Sequence, residues 1–446
     1  MAGLLLLHVC SPNYVNTNQY SRFGLTQAIV ERHSFQIDPY VNGVDWSRRD
    51  GHYYTNKAPG SSMLGVPFYC LLYVVESALN LDPAELRVFN LDVTDWFVTA
   101  IPSVLLSLFL LKYLLRRYPE TPEPAWLAVF TFSLATIMYP FSTTLWGHPT
   151  AAACLFFAFY ALVVNGNTWL TGLFLGLAVL VEYSAALVIP AYLGYHIWKQ
   201  RRNSIRGLGQ IFLAALPSLV LFLWYHKTCF GGWLTMPTVF QNPWFGLQNN
   251  QRVFHVLAFP DPVVLWKLLF GLERGIFLIS PVLLFAVFGF SHLLKSKKDR
   301  AEVLLALSIV LVFWAFNGAY VGWRAGHSSG PRYMIPMLPF LGLGLAACKP
   351  GFSYYWFLSI SVLNCAAIMS VSTTARPGQS LLTDVIYPAL DTSTLLGSFL
   401  PILFAAAGLF AIAKIKERTP RASTMKVADP LSSDMAAVGR EGRNTT

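Results

Sequence analysis

The feature that most limits the possible folds of this chain is a set of four predominantly apolar runs of about twenty residues each. They are 124–142, 275–294, 301–319 and 394–413. As a helix, a run of this length crosses the roughly 30 Å hydrocarbon core of a bilayer. Only 12% of the 446 residues are charged, whereas a soluble domain carries about a quarter. The sequence therefore predicts an all-α polytopic membrane protein.

The formal net charge is +10, but the position of the cations argues against nucleic-acid binding. They gather in short clusters at the ends of apolar runs and do not form a basic stripe with interleaved aromatic residues. Such clusters mark the cytoplasmic ends of membrane spans. They are Lys112/Arg116/Arg117, Lys199/Arg201/Arg202/Arg206, Lys295/Lys297/Lys298/Arg300 and Lys414/Lys416/Arg418/Arg421. We expect membrane lipids, and no nucleic acid, among the partners.

Placing every cluster on the cytoplasmic side threads the chain into a bundle of about 11 to 12 transmembrane helices. The bundle takes up residues 1–421 and leaves 422–446, rich in Ser, Ala, Thr and Asp, as a disordered cytoplasmic tail. The two largest outer loops are residues 10–92 and 226–274. The opening MAGLLLLHVC is expected to be the outer end of a first span that begins upstream.

Some apolar stretches are not predicted to be single transmembrane helices. A full crossing at 61–79 would turn all later cation clusters outward, so we predict a helix that lies at the outer interface. A stretch around Phe23, with Arg22 at its start, predicts a short amphipathic helix on the membrane surface. The run 168–198 is too long for one span and contains Glu182, so we predict two short helices that meet near this acid.

Polar residues concentrate in the outer loops, where membrane proteins commonly place function. The densest stretch is RDGHYYTNKAPG, residues 49–60, which lies immediately before another apolar run. Asp38, Asp45, Asp50 and Lys57 occur within twenty residues, in a loop that is held at both ends. This spacing predicts a polar site at the outer surface of the membrane.

The order of these features resembles the first outer loop of the GT-C glycosyltransferases, which use lipid-phosphate sugars. The family includes protein O-mannosyltransferases and bacterial aminoarabinose transferase. In it an aromatic-acid-Lys-Pro stretch follows the first loop helix, and the lysine holds the donor phosphate. Here YYTNKAP supplies Tyr53, Tyr54, Lys57 and Pro59, while Asn56 stands where an acid is common. The resemblance implies a GT-C-like bundle that moves a sugar from polyprenyl phosphate to an acceptor hydroxyl.

Later segments add to the resemblance. SSGPRYMIPMLPFL, residues 328–341, resembles the entrance to a late span in these enzymes and contains Arg332 and Tyr333. RGIFLISP, 274–281, and LWGH, 145–148, are similar to segments of uncharacterised bacterial members.

One feature of the family is missing. Its members place a catalytic carboxylate directly after the first span, but the corresponding SPNYVNTNQY has no acid. Either the acid role has moved to Asp38 or Asp50, or the enzyme has lost activity.

Transfer from a polyprenyl phosphate needs a base for the acceptor hydroxyl, cations for the leaving phosphate and an apolar groove for the lipid. A carboxylate near the membrane surface can act as the base, because partial desolvation raises its pKa toward the working pH. We expect Asp50 to be catalytic, since it shares a motif with Lys57, with Asp38 as the second choice. Candidate substrate-binding residues are Lys57, Arg332 and Arg274 for the phosphate, Tyr54 and His52 for orientation, and Arg22, Tyr333, Glu182, His148 and His327.

The alternative function is a non-catalytic one: a transporter, a flippase-type protein or an assembly protein for lipid-linked sugars. A transporter would place ionisable residues at mid-membrane in paired segments, and only Glu182 and Asn317 hint at this. No spacing of His, Asp or Glu residues predicts a dedicated metal site. A divalent cation is nevertheless one possible cofactor, because Asp38, Asp45 and Asp50 can converge. We expect a bacterial inner-membrane protein with its site on the outer side. The acceptor is a glycan, a lipid or a protein.

Overall fold

A computed structural model describes residues 15–200, 204–245, 253–254, 256–296, 300–371 and 380. All of these belong to one compact unit. The predicted first span, the run 394–413 and the tail 422–446 lie outside the described residues.

Helices make up most of the described chain, joined by short turns and one hairpin. The helices are α1 (Thr17–Arg32), α2 (Gly60–Ala78), α3 (Arg87–Arg117), α4 (Glu123–Leu134), α5 (Met138–Phe141), α6 (Gly147–Val163), α7 (Thr168–Val181), α8 (Ile189–Gln200), α9 (Ser204–Phe230), α10 (Pro262–Phe270), α11 (Ile276–Ile279), α12 (Leu284–Leu293), α13 (Arg300–Ala319), α14 (Leu338–Ala346) and α15 (Phe352–Val371). The two strands are β1 (Ser47–Arg49) and β2 (His52–Tyr54).

Five described helices are long and apolar enough to cross a membrane, namely α2, α3, α9, α13 and α15. Shorter apolar segments are α6, α7, Pro281–Leu293 and Arg332–Ala346. The chain is therefore an all-α integral membrane protein, as the sequence predicts. Two predicted spans are interrupted: 124–142 breaks between α4 and α5, and 275–294 breaks at Pro281, which has no N–H to continue a helix.

The first two helices differ in part from the sequence prediction. Helix α1 forms and is capped at Asn16, whose side chain accepts from the N–H groups of Asn18 and Gln19. It is buried over most of its surface, from Asn18 to Ala28, and so packs within the protein on more than one face. Helix α2 is long enough to span, so its predicted place at the outer interface stays a prediction.

The run that contains Glu182 folds as the sequence predicts. Helix α7 ends at Val181, a 3₁₀ turn covers Tyr183–Val188, and α8 follows. Helix α7 packs closely along α9, because Gly172 and Gly176 present no side chains at the contact. A Cβ on Gly172 would come within 2.1 Å of the Ile211 carbonyl oxygen, as in the small-residue contacts common between membrane helices.

The polar stretch of the first outer loop is a β-hairpin. β1 and β2 pair antiparallel, with Ser47 opposite Tyr54 and Arg49 opposite His52. Asp50 and Gly51 form the two-residue turn with φ values of 52° and 86°. An Asp-Gly pair suits such a turn, because both residues must adopt the left-handed region.

Candidate active site

A cavity of about 540 Å³ lies between segments that are far apart in the sequence. Its walls come from α1, the residues after β2, the start of α6, the turn after α7, and the segments around Trp244, Tyr320 and Arg332. Apolar and aromatic side chains make up much of the lining, among them Tyr183, Trp244, Phe245, Phe316, Tyr320 and Tyr333. Such an apolar pocket with a few convergent polar groups is the usual form of a ligand site.

Lys57 lines this cavity, and an ion pair fixes the position of its side chain. Its Nζ lies 2.5 Å from Oδ1 of Asp45, and the Thr17 hydroxyl donates to the other carboxylate oxygen. Both side chains are largely buried, with 14% and 10% exposed. Burial alone would raise the pKa of Asp45, but the charges and hydrogen bonds of Lys57 and Thr17, together with the charge of Arg332, lower it on balance. Asp45 is thus an ionised anchor for Lys57.

A second ion pair lies where α7 ends. Nη2 of Arg22, on α1, lies 2.7 Å from Oε1 of Glu182, and the Arg22 Nε–H donates to Asn18. Nδ1 of His148 is 3.6 Å from the same carboxylate oxygen, which is too long for a hydrogen bond. A Cβ on Gly147 would come within 2.3 Å of that oxygen, so this position needs glycine to leave room for the pair.

Arg332 is the third cation, and its guanidinium has no hydrogen-bond acceptor among the described residues. Its Nε is buried without a partner, and the whole residue is only 8% exposed. The guanidinium lies over the Trp146 ring at 4.2 Å and near the Tyr333 ring at 5.3 Å. Aromatic faces favour a cation, but they supply no acceptors for its five N–H groups.

The charges around the cavity do not cancel within the described residues. Arg22, Lys57 and Arg332 give three positive charges, and Glu182 and Asp45 give two negative ones. The difference, with His148 neutral, is one positive charge, located at Arg332. A buried uncompensated cation is costly, so the cavity is prepared for an anion.

Six of the predicted site residues come together at this cavity: Arg22, Lys57, His148, Glu182, Arg332 and Tyr333. The other six are not among its lining residues: Asp38, Asp50, His52, Tyr54, Arg274 and His327.

The two predicted bases lie on the hairpin, outside the cavity lining. Asp50 is in the exposed turn, with 76% of its side chain accessible, and lies 3.2 Å from Arg49 Nε. Asp38 accepts from the Tyr53 N–H at 2.8 Å and lies 3.1 Å from Nδ1 of His52. These contacts give both acids structural roles, and the geometry does not support either as the base.

The remaining outlying residues also have local partners. Tyr54 is buried against Phe230 at 5.9 Å between ring centres. Arg274 is fully buried and donates to the carbonyls of Glu273, Arg324 and Gly326. Burial lowers the pKa of Arg274 to about 10.

His327 stacks edge-on near Trp244, 6.0 Å between ring centres.

The sequence analysis gave neither Asp45 nor Trp146 a catalytic or substrate-binding role. Trp146 lies in the segment LWGH, but no local pattern predicts its contact with Arg332, because only the fold brings its ring under the guanidinium. The three acids do not converge either: Asp38, Asp45 and Asp50 pair with His52, Lys57 and Arg49 respectively. Among the described residues no group of three His, Cys, Asp or Glu side chains could hold a metal ion.

The fold is similar to that of ArnT from Cupriavidus metallidurans, a GT-C aminoarabinose transferase. Against the structure of ArnT bound to undecaprenyl phosphate, the TM-score is 0.50 at 12% identity, over 82% of this chain and 62% of that one. Against the apo structure it is 0.47 at 13% identity, over 82% and 61%. The chain has a GT-C-like fold.

The chain and ArnT share a similar fold, but their sequences are only 12–13% identical. The chain spans about three fifths of the length of the ArnT structures that it matches. No family model matches the sequence. No curated protein matches it either.

Proposed function

We propose that the cavity binds a polyprenyl-phosphate-linked sugar and that the protein transfers the sugar to an acceptor hydroxyl on the outer face of the membrane. The buried guanidinium of Arg332 carries the proposal, because it lacks an anionic partner among the described residues. A phosphate supplies this partner, since its oxygens accept two parallel N–H bonds from a planar guanidinium. The ArnT structure bound to undecaprenyl phosphate shows that a similar fold accommodates such a lipid.

The rest of the lining suits the other parts of this donor. Lys57 adds a second positive charge beside the proposed phosphate, and Asp45 limits its movement. Aromatic faces, such as those of Tyr320 and Tyr333 at 5.0 Å between ring centres, can cover a sugar ring or an isoprenoid chain. The cavity volume of about 540 Å³ falls within the range of small-molecule sites.

The proposed reaction exchanges one bond at the sugar for another. The acceptor oxygen forms a bond to the anomeric carbon, and the bond from that carbon to the phosphate oxygen breaks. Its electron pair leaves with the polyprenyl phosphate. Arg332 and Lys57 stabilise the charge that develops on this leaving group, and fixed charges in a site shielded from water are effective at this task.

Substitution of Arg332 tests the proposal. In detergent or nanodiscs, we expect Arg332→Gln to weaken binding of undecaprenyl phosphate about 10- to 100-fold, as hydrogen bonds to charged groups are worth about 1.5–3 kcal/mol. Arg332→Lys keeps the charge but loses the planar fork, so we expect an intermediate loss. Arg324→Gln is the matched control, because Arg324 is half-exposed, pairs with Glu273 and does not line the cavity.

The same preparations test transfer directly, with a panel of labelled undecaprenyl-phosphate sugars and envelope acceptors. Equal lipid affinity in wild type and Arg332→Gln would contradict the phosphate site. Arg332-dependent binding without transfer of any sugar would favour the alternative of a flippase-type or assembly protein.

A further inference from the structure

We infer that Glu182 is the general base of this transfer, an assignment that rests on the proposed function. Among the described residues that line the cavity, Glu182 alone carries a carboxylate. It lies in the break after α7, where the backbone turns from helix to extended and then to a 3₁₀ turn. The break directs the side chain toward the cavity and away from the helix surface.

The two carboxylate oxygens of Glu182 have different surroundings. Oε1 takes the contact with Arg22 and lies nearest to His148. Oε2 has no hydrogen-bond partner among the described residues, and it is not a fully buried atom. Since 12% of the side chain is accessible and the residue lines the cavity, Oε2 is open to a bound molecule.

The other nearby carboxylates lack such an open oxygen at the cavity. Both oxygens of Asp45 are engaged, by Lys57 and Thr17, and Asp45 does not line the cavity. Asp38 likewise uses both oxygens, on the Tyr53 N–H and the His52 ring. Glu182 therefore combines an unengaged oxygen with access to the acceptor.

In the proposed reaction Glu182 takes up the proton that the acceptor loses. The acceptor hydroxyl gives its proton to Oε2 as its oxygen attacks the anomeric carbon, and the phosphate leaves with the electron pair of the broken bond. Arg22 holds the opposite oxygen and fixes the carboxylate orientation. Gly147 leaves the room that this orientation needs. Nδ1 of His148 lies 3.6 Å from Oε1.

Glu182→Gln is the central test, because the amide oxygen can still accept from Arg22 while the group no longer takes a proton. We expect kcat for transfer to fall about 10²- to 10⁴-fold, the usual contribution of a general base. The KM for the donor and the affinity for undecaprenyl phosphate should stay within about twofold. Glu85→Gln, the same change at an exposed residue, is the matched control.

A second variant separates catalysis from a structural role. Glu182→Ala removes the carboxylate and leaves space, so added formate should restore part of the lost transfer in a concentration-dependent way. Rescue of kcat with no change in undecaprenyl phosphate affinity would identify proton transfer, because formate that merely paired with Arg22 would restore the affinity as well.

Two results would overturn the assignment. One is wild-type kcat in Glu182→Gln; loss of transfer in His148→Gln beside it would move the base to the imidazole. The other is an equal loss of undecaprenyl phosphate affinity and kcat in Glu182→Gln, which would make Glu182 a positioning residue for Arg22. In both the wild type transfers sugar, whereas an inactive wild type would contradict the proposed function itself.

Discussion

At the scale of single residues, the cavity is organised by which charges have partners. Asp45 holds Lys57, and Arg22 holds Glu182. Each of these held groups lines the cavity, so its position is set before a ligand arrives. Arg332 differs, because aromatic rings hold its guanidinium and leave its N–H groups without acceptors among the described residues. Preorganisation of this kind lowers the cost of ordering side chains on binding.

Asp45→Asn tests the anchoring role. Removing one partner of a largely buried pair leaves the other charge uncompensated, so we expect the free energy of unfolding to fall by about 3 kcal/mol. Donor affinity should fall as well, because Lys57 loses its fixed position. Asp50→Asn is the matched control: Asp50 is 76% exposed, and Asn-Gly also suits the hairpin turn.

The pH dependence of this effect has a definite sign. The folded pKa of Asp45 is lowered, so the stabilisation is complete above the unfolded value of about 3.9 and is lost as the pH falls through the folded value. Chemical denaturation should therefore give the same difference between wild type and Asp45→Asn at pH 6 and pH 8. A difference that shrinks between pH 8 and pH 6 would show that Asp45 is not ionised throughout this range.

At the scale of elements, local sequence predicts some of the site and tertiary contacts decide the rest. The Asp-Gly turn at residues 50–51 fixes the strand pairing, and continuing that register brings Asp45 opposite Asn56, next to Lys57. This partner was therefore predictable. The helix break at Glu182 was also predictable from length and charge. The pairing of Glu182 with Arg22, 160 residues away, depends on how α1 packs against its neighbours, and no local pattern encodes it.

Glu182 directly follows α7. Its position therefore depends on how α7 packs against α9. Gly172→Ala should destabilise the protein, because the new Cβ would lie 2.1 Å from the Ile211 carbonyl oxygen. Overpacking costs about 1–3 kcal/mol, which exceeds the helix-propensity gain of about 1 kcal/mol. We expect a lower melting temperature together with reduced transfer.

Gly209→Ala is the control on the partner helix. Its Cβ would meet no heavy atom within 4 Å, so only the propensity gain applies and stability should be unchanged or slightly higher. Equal melting temperatures for the two variants would mean that α7 and α9 do not pack through Gly172.

At the scale of the whole molecule, the path of α2 determines which side of the membrane the cavity faces. The hairpin and Lys57 come before α2, and the cations Arg116 and Arg117 end α3. If α2 lies at the interface, α3 alone separates the hairpin from these cations, and the positive-inside rule then places the hairpin outside. If α2 crosses, both lie on the same side. The length and composition of α2 allow a crossing, and an accessibility measurement distinguishes the two paths.

Single cysteines at Asp50, Glu85 and Glu120 provide this measurement, because all three positions are exposed. In a background with the six native cysteines replaced by serine, we expect a membrane-impermeant maleimide to label Asp50→Cys and Glu85→Cys on intact cells. Glu120→Cys should react only after permeabilisation. Labelling of Asp50→Cys and Glu120→Cys together, with Glu85→Cys protected, would show that α2 crosses. Protection of Asp50→Cys on intact cells would contradict a cavity on the outer side, because Lys57 follows the hairpin without an intervening span.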